Sequence, residues 1–389
     1  MINSVCGIGS TGRICTDLAE TLSQNGHEVK IAYGRGDVPD NFKHYAIKIG
    51  NDFDVKLHVL YSRIFDNTGF GSYKATKKFL EWVKEYNPDV IHLHNIHGYY
   101  INIELLFDYL AKAKKRVIWT LHDCWAFTGH CPHFSFVKCD KWKYGCSNCP
   151  QKRGYPSSYV FDSSCLNWKR KKKIFTSVSN MTLITPSEWL AKLVRKSFLG
   201  KYPIKVINNG IDTDVFKPTL GNFRQNHNLM NKKILLGVSN QWTERKGLND
   251  FIKLSSMISD DYRIVLVGLS DKQISSLPNN KIIGIRRTQS TKELAEIYTM
   301  ADVFLNLSYE ESFGLTTIEA ISCGTAVIVY DTTALSEITP QCKIQEGNLD
   351  KIVHILKKQV KKCAFEKKYS KNMMIESYMN TYTQYEWSD

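Results

Sequence analysis

The chain has 389 residues, 43% of them hydrophobic and 23% charged; this is too long for one typical domain and fits two globular domains of about 200 residues each. Fifty-two Lys and Arg against 38 Asp and Glu give a formal net charge of +14, which reads either as a lysine-rich soluble protein or as attraction to an anionic membrane face or lipid-diphosphate acceptor; no helix-turn-helix, zinc-finger or RRM-type motif accompanies the charge and nucleic acid is not expected. No run of about 18 uncharged apolar residues would span a membrane, the N-terminus lacks the basic and apolar regions of a secretory signal, and eleven cysteines without such a signal point to a reducing cytoplasm.

Strand-like apolar runs alternate with helical patterns from end to end, which predicts α/β layers around parallel sheets. The first run, Ile2–Val5, precedes Gly7-Ile8-Gly9-Ser10-Thr11-Gly12. A buried strand commonly has five or six residues, so either this strand is naturally short or the true start lies upstream. The glycine loop then opens a helix over Gly12–Asn25. Glycines let backbone N–H groups come close to a phosphate or an acceptor, so Gly9, Ser10 and Thr11 are candidate binding residues. The next strands are expected at His27–Tyr33, Asp89–Leu93, Arg116–Leu121, Met181–Thr185 and Ile204–Asn208. His94 and His97 follow the third of these runs along the chain, and His122, followed by Asp123, follows the fourth. Side chains beyond the carboxyl ends of parallel strands line the crevice where such folds bind ligands.

Cys131, Cys139, Cys146 and Cys149 then follow as Cys-x7-Cys-x6-Cys-x2-Cys. The last pair has zinc-knuckle spacing; free thiols and disulfides are the alternatives, with zinc favoured, because the loop Asp123–Gln151 looks poor in apolar residues and in need of a staple. Four thiolates would leave no open position, so such a zinc would be structural. Trp168-Lys-Arg-Lys-Lys-Lys-Ile174-Phe175 reads either as a solvated helix or as a basic patch with apolar anchors for an anionic membrane. The stretch Asp212–Asn231 lacks periodicity and holds Pro218 and Gly221, as a domain boundary would.

In the second half, strands are expected at Lys233–Val238, Tyr262–Gly268, Lys281–Ile285, Asp302–Leu307 and Ala326–Val329. Ser290-Thr-Lys-Glu293 reads as a capping box for the helix Ser290–Met300. The segment Glu311-Ser-Phe313-Gly314-Leu315-Thr-Thr-Ile-Glu319 places one carboxylate in a loop and a second inside the helix that starts near Gly314. Carboxylates accept hydrogen bonds from vicinal hydroxyls, and first-turn N–H groups suit a phosphate. The order hydroxyl reader, phosphate reader, hydroxyl reader matches a nucleotide sugar.

This motif resembles the donor-sugar signature of retaining family-four glycosyltransferases, which have the two-domain GT-B fold. Asn209-Gly-Ile-Asp212, Arg245-Lys-Gly247, Leu121-His-Asp123 and Gly9-Ser-Thr-Gly12 agree in order, over about residues 1–340. His94-Asn-Ile-His97 and His122-Asp-Cys-Trp125 are similar to bacterial enzymes of capsular, colanic-acid-type and other exopolysaccharide synthesis. The resemblance implies two Rossmann-like doubly wound domains facing an interdomain cleft: residues 1–214, binding the acceptor, with 370–389 crossing back to them, and residues 215–369, binding the nucleotide sugar. It implies that Glu319 holds the ribose, that Glu311 holds the donor sugar, and that Lys246 joins the N–H groups of Phe313, Gly314 and Leu315 on the diphosphate. It places His122 near the reacting sugar. The family's arginine about six residues before Lys246 is replaced by Ser239 and Asn240, and Arg245 is the substitute cation. Catalysis is expected without a metal, since no Asp-x-Asp is placed to clamp the diphosphate. A glycan or a lipid-diphosphate-linked sugar is the expected acceptor, with the enzyme peripheral on the inner face of the membrane. The alternatives are a nucleotide-sugar epimerase or phosphorylase of the same fold, and a non-catalytic carbohydrate-binding protein.

Overall fold

The computed structural model describes residues 1–383 except Asn279 and Gln359, so the last six positions of the expected crossing segment lie outside the described residues. The chain divides into two compact units, Met1–Ile207 with Ile375–Asp389, and Asn208–Met374.

In the first unit the strands are β1 (Ile2–Asn3), β2 (Ile31–Tyr33), β3 (Ala46–Lys48), β4 (Val90–Leu93), β5 (Arg116–Thr120), β6 (Met181–Thr185) and β7 (Ile204–Val206), and the helices are α1 (Gly9–Gln24), α2 (Asp52–Phe65), α3 (Tyr73–Tyr86), α4 (Ile103–Ala113), α5 (Ser164–Phe175) and α6 (Glu188–Arg195). The strands form one parallel sheet in the order β3-β2-β1-β4-β5-β6-β7. Every residue of β6 is buried, as expected of a parallel strand covered on both faces. The order reverses between β1 and β4. That is the switch point at which doubly wound sheets hold ligands, and it brings the Gly7–Gly9 loop beside the loop that carries His94 and His97.

The second unit repeats the architecture with α7 (Phe223–Asn226), β8 (Lys233–Val238), α8 (Leu248–Met257), β9 (Tyr262–Val267), α9 (Asp271–Ser275), β10 (Ile282–Ile285), α10 (Thr291–Met300), β11 (Val303–Asn306), α11 (Leu315–Ser322), β12 (Ala326–Tyr330), α12 (Leu335–Ile338), β13 (Lys343–Ile344) and α13 (Leu349–Leu356). Its parallel sheet runs β10-β9-β8-β11-β12-β13. Here the switch point lies between β8 and β11, so the loop holding Arg245 and Lys246 meets the loop holding Glu311. The last helix, α14 (Lys371–Thr383), begins in the second unit and continues in the first. In the first unit Tyr378 meets Thr120 (3.1 Å), and the Arg116 guanidinium donates to the carbonyls of Thr381 and Tyr382.

Several expected elements differ in extent. The first strand is two residues long, and β2 starts at Ile31 rather than His27. β2 and β4 there line a cavity of about 850 Å³. The edge strands β3 and β13 have two or three residues, too few for a periodic signal. The stretch Asp212–Asn231 is no free linker: Phe216 and Leu229 are buried in the second unit's core. Ser290 does accept from Glu293 N, but Glu293 reaches back to Gln289 N, so the capping box is only half formed.

The expectation for α5 is overturned. Trp168, Lys171 and Phe175 are buried, and Arg170 forms a two-point ion pair with Glu104 while stacking 3.6 Å from the centre of the Phe70 ring. The helix turns Trp168 and Lys171 (i, i+3), with Phe175 a turn further on, toward the core. This leaves Lys169, Lys172 and Lys173 exposed. Of the supposed anchors of a membrane patch, Trp168 and Phe175 are therefore core residues and Ile174 is partly buried against the same core.

Candidate active site

In the second unit, β8 ends at Val238 and the chain turns through Ser239 and Asn240, where the Ser239 hydroxyl is engaged with the backbone of Gln241. A short helical turn, Glu244–Lys246, then leads to Gly247. Gly247 has φ 76°, and a Cβ there would lie 2.2 Å from the carbonyl of Leu307; only glycine lets this turn press against the end of β11. The consequence is local and chemical. Lys246 Nζ reaches Glu311 Oε1 at 2.5 Å, both side chains being about four-fifths buried. Arg245 closes the same loop: its Nη1 donates to Glu310 O (3.0 Å), and its own carbonyl accepts from Tyr309 N (2.9 Å).

Glu311 is held from several sides. Its N–H donates to Thr333 Oγ1 at 2.9 Å. Burial alone would raise its pKa, but Lys246, by charge and hydrogen bond, together with Arg245 and Ser308, brings it below the usual carboxylate value. It is thus a fixed anion able to accept from hydroxyls. Three residues on, Gly314 has φ 102°, and a Cβ would come 2.7 Å from Leu335; this glycine starts α11, and no side chain caps that end. Phe313 is buried against Tyr369, ring centroids 5.8 Å apart. It anchors the turn, so that Phe313, Gly314 and Leu315 contribute backbone here and not side-chain chemistry. Glu319 is nearly buried, on α11, and its Oε2 accepts from Tyr298 OH at 2.8 Å. The structure therefore gathers Arg245, Lys246, Glu311 and the uncapped end of α11 at the switch point, with Glu319 fixed a turn further along. Tyr298 and Thr333, which orient the two glutamates, carry no motif and were not singled out from sequence.

In the first unit, α1 begins at Gly9, and its N-terminus also lacks a side-chain cap. Gly9 and Ser10 are exposed, while Thr11 Oγ1 accepts from Asn3 Nδ2 at 3.3 Å. His122 is half-buried; burial lowers its pKa to about 4, so it is a neutral imidazole near neutral pH. Its Nε2 faces Nδ1 of the buried His94 at 3.1 Å, so one ring donates and the other accepts. His97 meets Asp123 (2.9 Å) and Tyr155 OH (3.3 Å). Burial pushes Asp123 upward, but the charge and hydrogen bond of His97 bring it down to about 2. Arg35 joins this group at the end of β2. Its guanidinium lies 6.0 Å from the Tyr99 ring centre. Its buried Nε has no hydrogen-bond partner. Arg35 was missed from sequence because a single arginine between two glycines has no pattern.

Cys131, Cys139, Cys146 and Cys149 line one small cavity with Thr128, His130, Phe134 and Trp142. Among the described residues, however, no three or more His, Cys, Asp or Glu side chains form a group that could hold a metal ion. Instead the Cys131 and Cys149 thiols interact with each other, and Gly129 N–H donates to Cys146 Sγ at 3.2 Å. The loop is also richer in core residues than its composition suggested. Trp125, Phe127, Phe134 and Trp142 are buried, with the Phe134–Trp142 rings stacked at 5.1 Å, and Asp66 pairs with His130 beneath them. Packing supplies the staple for which zinc was expected. Metal analysis of protein purified without added metal should accordingly find far less than one zinc per chain; a full equivalent would restore the zinc-site expectation.

Comparison with known proteins places these features in a family context. Residues 11–215 match the family profile described as Glycosyltransferase Family 4, and residues 221–372 match Glycosyl transferases group 1. A protein of Escherichia coli (strain K12) named as a colanic acid biosynthesis glycosyl transferase, WcaC, is 22% identical over 403 aligned positions, covering 96% of each chain. Among solved structures, sucrose-phosphate synthase (tll1590) from Thermosynechococcus elongatus superposes with a TM-score of 0.70 at 17% identity, over 97% of this chain and 94% of that one. Anabaena Alr3699/HepE, in complex with UDP and glucose, gives 0.67 at 14% identity, over 99% and 98%.

Proposed function

The chain belongs to glycosyltransferase family 4, and we propose that it moves a sugar from a nucleotide-sugar donor onto a glycan or lipid-linked glycan during synthesis of a surface polysaccharide. It has the GT-B fold and is a retaining glycosyltransferase. The observation that carries the donor assignment is the Lys246–Glu311 pair beside the uncapped start of α11, with Glu319 held by Tyr298.

Each group has one task in this reading. Glu319 accepts hydrogen bonds from the ribose hydroxyls. Glu311 holds hydroxyls of the transferred sugar. Lys246, Arg245 and the first N–H groups of α11 meet the diphosphate, whose negative charge grows as the glycosidic bond breaks; groups aimed at developing charge lower the barrier without reorganising. This compensates the leaving group with protein charges, so the reaction is expected to need no metal. The acceptor hydroxyl attacks from the face that the diphosphate leaves, which retains the anomeric configuration. A donor carrying UDP is the first to test, because HepE is described with UDP and glucose. In the first unit, His122 is a neutral hydrogen-bonding group, and Arg35 offers a cation to an acidic acceptor such as a sugar diphosphate. The polysaccharide reading is supported by the likeness to WcaC.

A thermal-shift screen of nucleotide sugars tests the donor site. Ligand that binds only the folded protein raises Tm as its concentration passes Kd. Glu319→Ala should weaken nucleotide binding by roughly ten- to hundredfold, the effect of losing hydrogen bonds to a charged group of about 1.5–3 kcal/mol. An unchanged shift in this variant would show that Glu319 does not read the ribose. Sugar inversion without an acceptor would favour the epimerase alternative.

A further inference from the structure

The helix α2 (Asp52–Phe65) packs Val55 against the core but leaves much of its apolar surface facing water. Amphipathic surface helices turn their apolar stripe inward. Here the residues buried on the inner face are His58 and Ser62. Phe53, Leu57, Leu60, Tyr61 and Phe65 recur at three- and four-residue spacing on the other face, and each is between 39 and 66% exposed. The inward polar groups are satisfied. His58 Nε2 accepts from Gly69 and Gly71 N–H (3.2 and 3.0 Å), and its Nδ1 meets Ser72 Oγ at 2.9 Å. The orientation is therefore fixed by specific bonds.

The apolar face continues beyond the helix. Phe161, 52% exposed, stacks on Phe65 with ring centroids 5.6 Å apart. The segment carrying it is tied to the end of α2 by Tyr159 N to Arg63 O (2.8 Å) and Phe161 N to Ile64 O (3.0 Å). Asp66, which follows α2, accepts from Ser163 N, and its carbonyl accepts from Asn167 Nδ2; this brings the start of α5 to the same edge. The exposed cations Lys56 and Arg63 stand on α2 itself, and Lys169, Lys172 and Lys173 on α5. The nearby acids are already engaged: Asp52 with Lys48, and Asp54 with the backbone of Asn51.

We propose that this face of the first unit docks on an anionic lipid surface, with α2 lying in the interfacial plane. Large apolar and aromatic side chains along a helix of about 21 Å, bordered by lysine and arginine, are the composition of an interfacial helix. Tyrosine suits the boundary between apolar and wet layers. The cations supply the complement to lipid phosphate, each contributing about 1 kcal/mol near a charged leaflet. The inference is independent of the donor assignment, since lipid binding needs no nucleotide. It also replaces the buried residues Trp168 and Phe175 with side chains that solvent can reach.

Co-sedimentation of the full chain with vesicles tests it. The parent should pellet with vesicles containing phosphatidylglycerol, much less with phosphatidylcholine alone, and less at high salt. Leu57→Ser/Leu60→Ser should lose about tenfold in vesicle affinity through reduced apolar burial, with Tm unchanged because both side chains are exposed. Lys169→Ser/Lys172→Ser/Lys173→Ser should lose the preference for anionic lipid. Failure of the parent to pellet with anionic vesicles overturns the proposal, as does undiminished pelleting of the leucine variant. A dimer abolished by the leucine variant, without vesicle binding, assigns the face to a second copy and also overturns it.

Discussion

Glu311→Ala is expected to lower turnover by about ten- to a hundredfold while leaving nucleotide binding nearly intact. The magnitude follows from losing hydrogen bonds to a charged group, about 1.5–3 kcal/mol, at a carboxylate proposed to hold the transferred sugar. The substitution also leaves the Lys246 ammonium without its partner at 2.5 Å, free to lean more strongly on the diphosphate. KM for the donor should therefore hold or fall while kcat drops. Lys246→Ala should act differently: it removes charge from the leaving diphosphate and strands Glu311, so both nucleotide affinity and kcat fall. Because the two side chains touch, the double variant should cost less than the sum of the single effects. Initial rates of donor turnover or hydrolysis, with Tm as the folding control, check this. Parent-like kcat in Glu311→Ala would remove Glu311 from the active site.

Lys171→Ala should be the most destabilising of the substitutions considered, by about 3–5 kcal/mol, as for truncation of a large buried side chain that also takes one hydrogen bond each from the carbonyls of Trp125 and Thr128. Lys171 is 1% exposed. Its Nζ donates to Trp125 O (2.9 Å) and Thr128 O (3.1 Å) and sits 3.4 Å from the Trp125 ring centre. It thereby pins the cysteine-bearing loop to α5. Burial lowers its pKa to about 7, against the opposing pull of Cys146 and Asp66. An unfolded lysine titrates near 10.4. Between these values the unfolded chain binds a proton that the folded chain does not, so this group makes stability rise with pH from about 7 to about 10. Below pH 7 both states are protonated, and the full penalty of burying the charge is present. Lys171→Met, which restores volume without the amine, should be less destabilising than Lys171→Ala and should flatten that part of the stability profile. Chemical denaturation across the pH range measures both effects. A Lys171→Ala variant within 1 kcal/mol of the parent would mean that the loop is held by its aromatic side chains alone.

The sequence by itself determined the alternation of strands and helices, because period-2 and period-3.6 patterns are local and each buried parallel strand is a continuous apolar run. It also determined the carboxylate–glycine–carboxylate segment Glu311–Glu319, since loop, helix start and first turns all fall within nine residues. What it could not specify rests on contacts between distant residues. Lys246 and Glu311 are 65 positions apart, and only the β8–β11 neighbourhood joins them. The lysines of Trp168–Phe175 look alike in a string, yet one is buried against Trp125 and three are exposed, a choice made by the loop that packs over α5. The cysteines converge as their spacing suggested, but thiol–thiol and thiol–backbone contacts, with four buried aromatics, set their arrangement. The direction of α2 was not legible: His58 finds its partners only in the folded chain, Ser62 is buried with it, and Phe53, Leu57, Leu60 and Phe65 are exposed.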